Sequence, residues 1–186
     1  MFAYLRKISK GAPFYWTISL LAFFIFSGCA AETVTRTSLS RNLLQKEDIR
    51  RVVVLSFESP MDDLQAGSHI SQLFEMFMIQ TGLYQIAERS AIEKAFRDRG
   101  LGKSPEADLA ALRQLREQLG IDGIILGSVS QYNRVNLGFT ARLVSLKSGL
   151  IIWSISQTGG RVVRPLSQVA AETVQAAVKD LQSKMQ

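Results

Sequence analysis

Three groups of residues in this chain are of types that could do chemistry, and a fourth position stands apart. His69 is the only histidine and Cys29 the only cysteine. Without a second imidazole or thiol, zinc binding and Ser-His or Cys-His nucleophilic catalysis have little footing, so His69 is expected to decorate the start of a helix. Gly102-Lys103-Ser104 has the ending of a phosphate-binding loop, but that motif's first glycine would fall at Arg97, and a helix rather than a strand precedes it. A turn followed by a helix cap accounts for it better. Glu58, Asp62 and Asp63 follow a predicted strand, at the end where open α/β sheets bind ligands. They are expected as a solvated acidic loop in preference to a cation site. The sequence thus predicts no metal, no cofactor and no catalytic constellation, and the expectation is a protein that is not an enzyme. The fourth position is Cys29.

Arg6, Lys7 and Lys10 precede an apolar segment from Thr17 to Phe26, and Phe26-Ser27-Gly28-Cys29 follows. This is the layout of a secretory signal peptide. Its apolar core is shorter than the roughly 20 residues of a comfortable membrane span. The last four residues resemble a bacterial lipobox, with Phe26 where Leu is usual. That resemblance implies cleavage between Gly28 and Cys29, diacylglycerol on the cysteine sulfur and a fatty acid on the new amino group. Two or more acyl chains hold a protein stably on a bilayer, whereas one does not. Ala30, in place of Asp, follows the cysteine, which in lipoproteins of this type indicates the outer membrane and, with it, a domain on the periplasmic face.

The 186 residues are 47% hydrophobic and 20% charged, ordinary for one globular domain with an appendage. Arg6, Lys7 and Lys10 are the only charged groups in residues 1–28, so loss of that segment lowers the formal charge from +6 to +3. The remaining basic clusters, Arg50-Arg51 and Arg97/Arg99, lack interleaved aromatics, and no nucleic-acid partner is expected. The chain divides into a signal peptide (1–28), a lipidated tether (29–49) that is Thr/Ser-rich and charged, and a domain (50–186).

Within the domain, Arg51 to Phe57 reads as a buried strand. Ile70, Leu73, Phe74 and Phe77 recur at helical spacing over Ala66 to Thr81, and Gly82 ends that helix. Tyr84 to Glu88 is a short strand, followed by a helix opened by a Ser90/Glu93 capping box and carrying Ile92 and Phe96. Ser104 and Pro105 start another helix, bearing Leu109, Leu112, Leu115 and Leu119. Ile124 to Val129 is near-continuously apolar, Val135 to Leu143 alternates, and a Lys147-Ser148-Gly149 turn leads into Leu150 to Ile155, giving an antiparallel meander. Pro165 opens a final helix with Ala170, Val174, Ala177, Val178 and Leu181 inward. Right-handed crossovers then give a three-layer α/β/α domain around a mixed five-stranded sheet, ordered 2-1-3-4-5 with the fourth strand antiparallel to its neighbours.

Several blocks in this order resemble the CsgG-type family of bacterial envelope lipoproteins. They are Arg51-Val-Val-Val-Leu-Ser-Phe57; Tyr84-Gln-Ile-Ala-Glu-Arg-Ser90 leading to Phe96-Arg-Asp-Arg-Gly-Leu101; Leu119-Gly-Ile-Asp-Gly-Ile-Ile-Leu-Gly-Ser-Val129; and Ala141-Arg-Leu-Val-Ser-Leu-Lys-Ser-Gly149 with Trp153-Ser154. The resemblance covers most of Arg51 to Ser154. It implies a domain like the N-terminal domain of TolB, of the anticodon-binding-domain type, and a non-enzymatic role in assembly or secretion of a curli-like or flagellum-associated surface structure. More distantly it includes LpoB-type activators of penicillin-binding proteins, which makes regulation of a cell-wall synthase the alternative. The connections here leave no room for the paired membrane-spanning hairpins of a curli channel, whose strands need about 9 to 11 residues each. Expected partners are the membrane, through acyl chains on Cys29, envelope assembly or secretion proteins, and further copies of the chain. Met76, Met78 and Ile79 broaden the first helix beyond one buried stripe, as expected if it lies between the sheet and another helix or if it meets a partner; in the second case Met76 and Ile79, three apart on one face, are the candidate partner surface.

Overall fold

The computed structural model describes residues 34–39, 47–98, 109–160 and 164–185. The signal segment, Gly28, Cys29, Lys103, Ser104 and Pro105 lie outside the described residues. The described elements are β1 (Val34–Leu39), β2 (Arg51–Val54), α1 (Ala66–Thr81), β3 (Gln85–Ile86), α2 (Arg89–Asp98), α3 (Leu109–Leu119), β4 (Gly123–Tyr132), β5 (Asn136–Ser145), β6 (Ile151–Gly160) and α4 (Leu166–Met185).

The sheet has six strands, in the order β1-β6-β5-β4-β2-β3. β2 is parallel to both β3 and β4, whereas β4, β5, β6 and β1 run antiparallel in succession. The predicted 2-1-3-4-5 neighbour order is contained in β3-β2-β4-β5-β6, and β5 is antiparallel to both neighbours as expected. The count of five is corrected by β1, which lies inside the segment expected to be a tether. Val34-Thr-Arg-Thr-Ser-Leu39 is short on apolar residues, so its composition reads as linker. Its β-branched residues nevertheless suit an extended backbone, and β6 supplies a six-residue antiparallel register from Val34 opposite Thr158 to Leu39 opposite Trp153.

Turn chemistry fixes the meander. Gly149 has φ +74°, the left-handed conformation that favours glycine, and its N–H donates to the Ser145 carbonyl at 2.8 Å. The Asp122 carboxylate accepts from the backbone N–H groups of Arg50 and Arg51, each at 3.1 Å, which pins the start of β2 beside the loop leading into β4. Past Val54 the chain still follows β4: the N–H of Glu58 donates to the Gly127 carbonyl and the N–H of Val129 to the Glu58 carbonyl.

Two layers of core form on opposite faces of the sheet. On one, Ile70, Phe74 and Met78 of α1 and Val174, Val178 and Leu181 of α4 close over Ile125, Phe139, Leu143 and Trp153. Phe74 is the hub, edge-on to Phe139 with ring centroids 6.2 Å apart and tilted against Phe57 at 5.6 Å. Trp153 is wholly buried, and its indole N–H donates to Asp180 at 3.1 Å. On the other face, Ile92 and Phe96 of α2 and Leu119 of α3 pack on Val53, Leu55, Ile124, Leu126 and Val144. This second layer is narrower than a full third layer of the fold. Both its helices come from the crossover between β3 and β4, so they reach the β2–β4 region while β6 and β1 carry Ser154, Ser156, Arg36 and Ser38 on that face.

Two local expectations are corrected. Ser90 and Glu93 form no capping box: the Glu88 carboxylate accepts from the N–H groups of Ser90 and Ala91 at the start of α2, and Glu93 reaches across to Ser56. Met78 faces the core and is fully buried, because the 100° step per residue turns it onto the Phe74 side of α1, away from Met76.

Candidate assembly surface and strand-end cleft

The first candidate site is built on α1. Its inward face is filled by Ile70, Phe74 and Met78, and the helix ends at Gly82, whose φ of +62° lets the chain leave while its N–H donates to the Ile79 carbonyl. What remains outward in the last two turns is apolar: Met76 is 42% exposed and Ile79 60%. The structure therefore places the two residues of the predicted partner surface together, on the outer side of a helix that needs nothing more from its own core.

Beside Ile79, a depression of about 450 Å³ is lined by Glu75, Tyr84, Ile86, Ala87 and Glu88. Its rim is held firmly. Arg89 donates to the Glu75 carboxylate at 2.7 Å and to the Ser71 hydroxyl at 2.9 Å, which ties α2 to α1. The Tyr84 hydroxyl meets the Met185 sulfur at 3.3 Å, and burial pushes this phenol well above its ordinary pKa. Glu88 is held below the usual carboxylate range, first by the Ser90 hydroxyl and then by the N–H groups of Ala91 and Ser90. The result is a preformed apolar step bordered by engaged polar groups, which suits a protein surface better than a reacting small molecule.

The second candidate lies where the parallel strands end, between the two crossovers, in the position where open α/β sheets bind ligands. A cleft of about 570 Å³ there is lined by Glu58, Glu93, Arg97 and Arg142 among apolar neighbours that include Leu64 and Phe96. Glu93 is engaged, accepting from the Ser56 N–H at 3.1 Å and the Ser56 hydroxyl at 2.7 Å. These four charged groups come from a loop, a helix and a strand distant in sequence. Of the four, Glu58 was placed by the sequence at this ligand-binding strand end, whereas nothing in the sequence brought Glu93, Arg97 or Arg142 to it.

His69 sits in the first turn of α1, as expected, and adds a contact that its solitary place in the sequence concealed. Its Nδ1 and the Tyr132 hydroxyl at the end of β4 are 2.7 Å apart, with the rings edge-on. Burial, and then the charge of Asp63, raise the Tyr132 pKa. Asp63 accepts from the N–H groups of Gln65 and Ala66 at 3.0 and 3.1 Å, so it ends the acidic loop by bracing the turn that leads into α1. Among the described residues, no three His, Cys, Asp or Glu side chains are grouped to hold a metal ion, and no helix is long and apolar enough to cross a membrane.

No family model and no curated protein matches the chain. Solved structures do. PelC from Paraburkholderia phytofirmans, a dodecamer, superposes with a TM-score of 0.56 at 19% identity, covering 81% of this chain and 98% of PelC. Lipoprotein GNA1162 from Neisseria meningitidis gives 0.54 at 19% identity, over 71% and 96% of the two chains. The C-terminal domain of LpoB from Escherichia coli overlaps at 0.43 and 14% identity, over 66% and 94%, a likeness too loose to carry weight. At these identities the agreement is one of fold: this chain shares a mixed α/β architecture with PelC and with lipoprotein GNA1162.

Proposed function

We propose that this protein is a non-enzymatic lipoprotein of the outer membrane, held on its periplasmic face by acyl chains on Cys29, and that it works by self-association in the assembly or export of a cell-surface structure, curli-like or flagellum-associated. The observation that carries this reading is the Met76–Ile79 surface: two exposed apolar side chains on a helix whose inner face is complete. Their exposure leaves apolar area for a partner to remove from water. The shared fold adds support, since PelC, matched over 98% of its length, is a dodecamer. A closed ring of identical subunits has the same face-to-face contact at each junction, which one surface and its complement per subunit can supply.

Regulation of a cell-wall synthase is the competing reading, and it needs reach. β1 takes residues 34–39 into the sheet, which leaves residues 29–33 to bridge Cys29 and the fold. Five residues, fully extended, span at most about 18 Å. A domain held so near its membrane suits a collar better than a partner at a distance. Light scattering on the full mature lipoprotein in detergent tests the reading: a defined oligomer is expected, and Met76→Asp with Ile79→Asp should dissociate it while leaving the circular dichroism spectrum unchanged. A monomer at every concentration would sink the assembly reading and favour the regulatory one.

A further inference from the structure

The register of the sheet shows which end of the domain carries Val34, the first residue of β1. Val34 pairs with Thr158, Thr158 with Gly138, and Gly138 with Gln131, so these four residues form one row across β1, β6, β5 and β4. Just beyond that row is the turn between β4 and β5, where Arg134 and Val135 are exposed. The loop before α1 comes to the same end, since His69 in the first turn of α1 meets Tyr132 at the tip of β4. This loop carries Met61, fully exposed, and Leu64, exposed by four-fifths. Val34, Met61, Leu64 and Val135 are half of the large apolar side chains that the described residues leave exposed, and all four lie at the end of the sheet where β1 begins.

We infer that this end of the domain rests on the lipid bilayer, with Met61, Leu64 and Val135 entering the headgroup interface and Arg134 among the lipid phosphates. The inference rests on the lipidation reading above and adds an orientation to it. Tether length enforces that orientation. Residues 29–33 let Val34 stand at most about 18 Å from the lipidated residue. The opposite end, marked by the Lys147–Gly149 turn and the exposed Leu150 and Ile151, lies about 23 Å or more up the strands, at about 3.3 Å per residue from Gly138 to Ser145. An upright domain therefore cannot invert and put that end on the bilayer. The acidic residues of the loop do not oppose a shallow seat: Asp63 already accepts two backbone hydrogen bonds, and the same end of the sheet carries the exposed cation Arg134. Side chains of this kind enter to a depth of about 5 to 10 Å, short of the bilayer centre.

Cys29 supplies the control for the test, because lipidation consumes the chain's only thiol and leaves any added cysteine free for labelling. Full-length lipoproteins carrying Val135→Cys, Leu64→Cys, Ile79→Cys or Leu150→Cys are labelled with an environment-sensitive dye and reconstituted in vesicles of phosphatidylethanolamine and phosphatidylglycerol containing shallow doxyl-lipid quencher. Dyes at positions 135 and 64 should shift to the blue and lose most of their emission to the quencher, while the dye at 150 should stay aqueous and the dye at 79, which the proposed subunit contact covers, should escape the lipid quencher. Equal quenching at 150 would overturn the orientation. Protection of 135 and 64 from iodide without doxyl quenching would overturn it too, assigning that end to a second copy. Flotation separates lipidation from orientation. If Cys29→Ala floats with vesicles as the unsubstituted protein does, the lipidation reading fails and the inference with it; if flotation needs Cys29 but positions 135 and 64 stay aqueous, the orientation alone fails.

Discussion

The two faces of the sheet solve the same problem with different completeness. Under α1 and α4 the apolar layer extends from Val52 on β2 to Trp153 and Ile155 on β6, with Phe74 touching Phe57, Phe139 and Trp153. Under α2 and α3 the layer stops at β4 and the last residues of β5, and the strands beyond present serine, threonine and arginine. The difference follows from connectivity. Long helices that begin and end at the edges of a sheet can lie across all of it, whereas the short pair in one crossover covers only the strands it joins. Tight hairpins in the meander contribute no helix of their own. One face therefore holds the fold together, and the other is finished only where the parallel strands need cover.

That contrast can be broken most decisively at Trp153. Trp153→Ala should cost about 3 to 5 kcal/mol in urea unfolding, and Ile92→Ala on the narrower face about 2 kcal/mol, at the low end for such truncations. Equal losses would mean that the second layer carries as much as the first. A medium effect is expected at Gly127, which sits on the broad face. A Cβ there would lie 2.4 Å from the Phe57 ring and 2.5 Å from the Thr140 carbonyl oxygen, and the carbonyl belongs to a paired strand that cannot yield. Gly127→Ala should cost about 1 to 3 kcal/mol by overpacking; a neutral thermal melt would show that Phe57 moves freely and that the broad face is looser than drawn.

The smallest effect concerns the cap of α2. Glu88 has its folded pKa lowered, so its contribution is present above the ordinary carboxylate pKa and is lost as pH falls through the lowered folded value. Glu88→Gln should therefore melt slightly below the unsubstituted protein at neutral pH, with the gap closing in acid. A gap that persists unchanged at low pH would remove the charge from the explanation. Because Glu88 is exposed, the effect is a matter of direction and slope.

Much of this contrast was legible in the sequence, and the exceptions share a cause. β5 announced itself by strict alternation, α4 by its apolar spacing after Pro165, and the Lys147–Gly149 turn by its glycine. β1 did not, because its stability comes from β6 rather than from its own side chains. The Ser90/Glu93 pair had the spacing of a cap, yet Glu88 reached the same N–H groups and freed Glu93 for Ser56. Met76 and Ile79 emerged as a surface because helical period separates them from Met78, whose burial needed α4 to be seen. The strand-end cleft was legible only through Glu58, because Glu93 and Arg142 come to line the same cleft only once α2 and β5 are packed in place.

β1 also sets how the domain would bear load. Under the proposed lipidation of Cys29, tension from an assembly at the far end would enter the sheet at Val34 and run along the strand, across hydrogen bonds that stand perpendicular to it. Six residue pairs are then sheared together instead of being peeled one by one, so the segment with the least apolar content is placed as the mechanical fastener of the molecule.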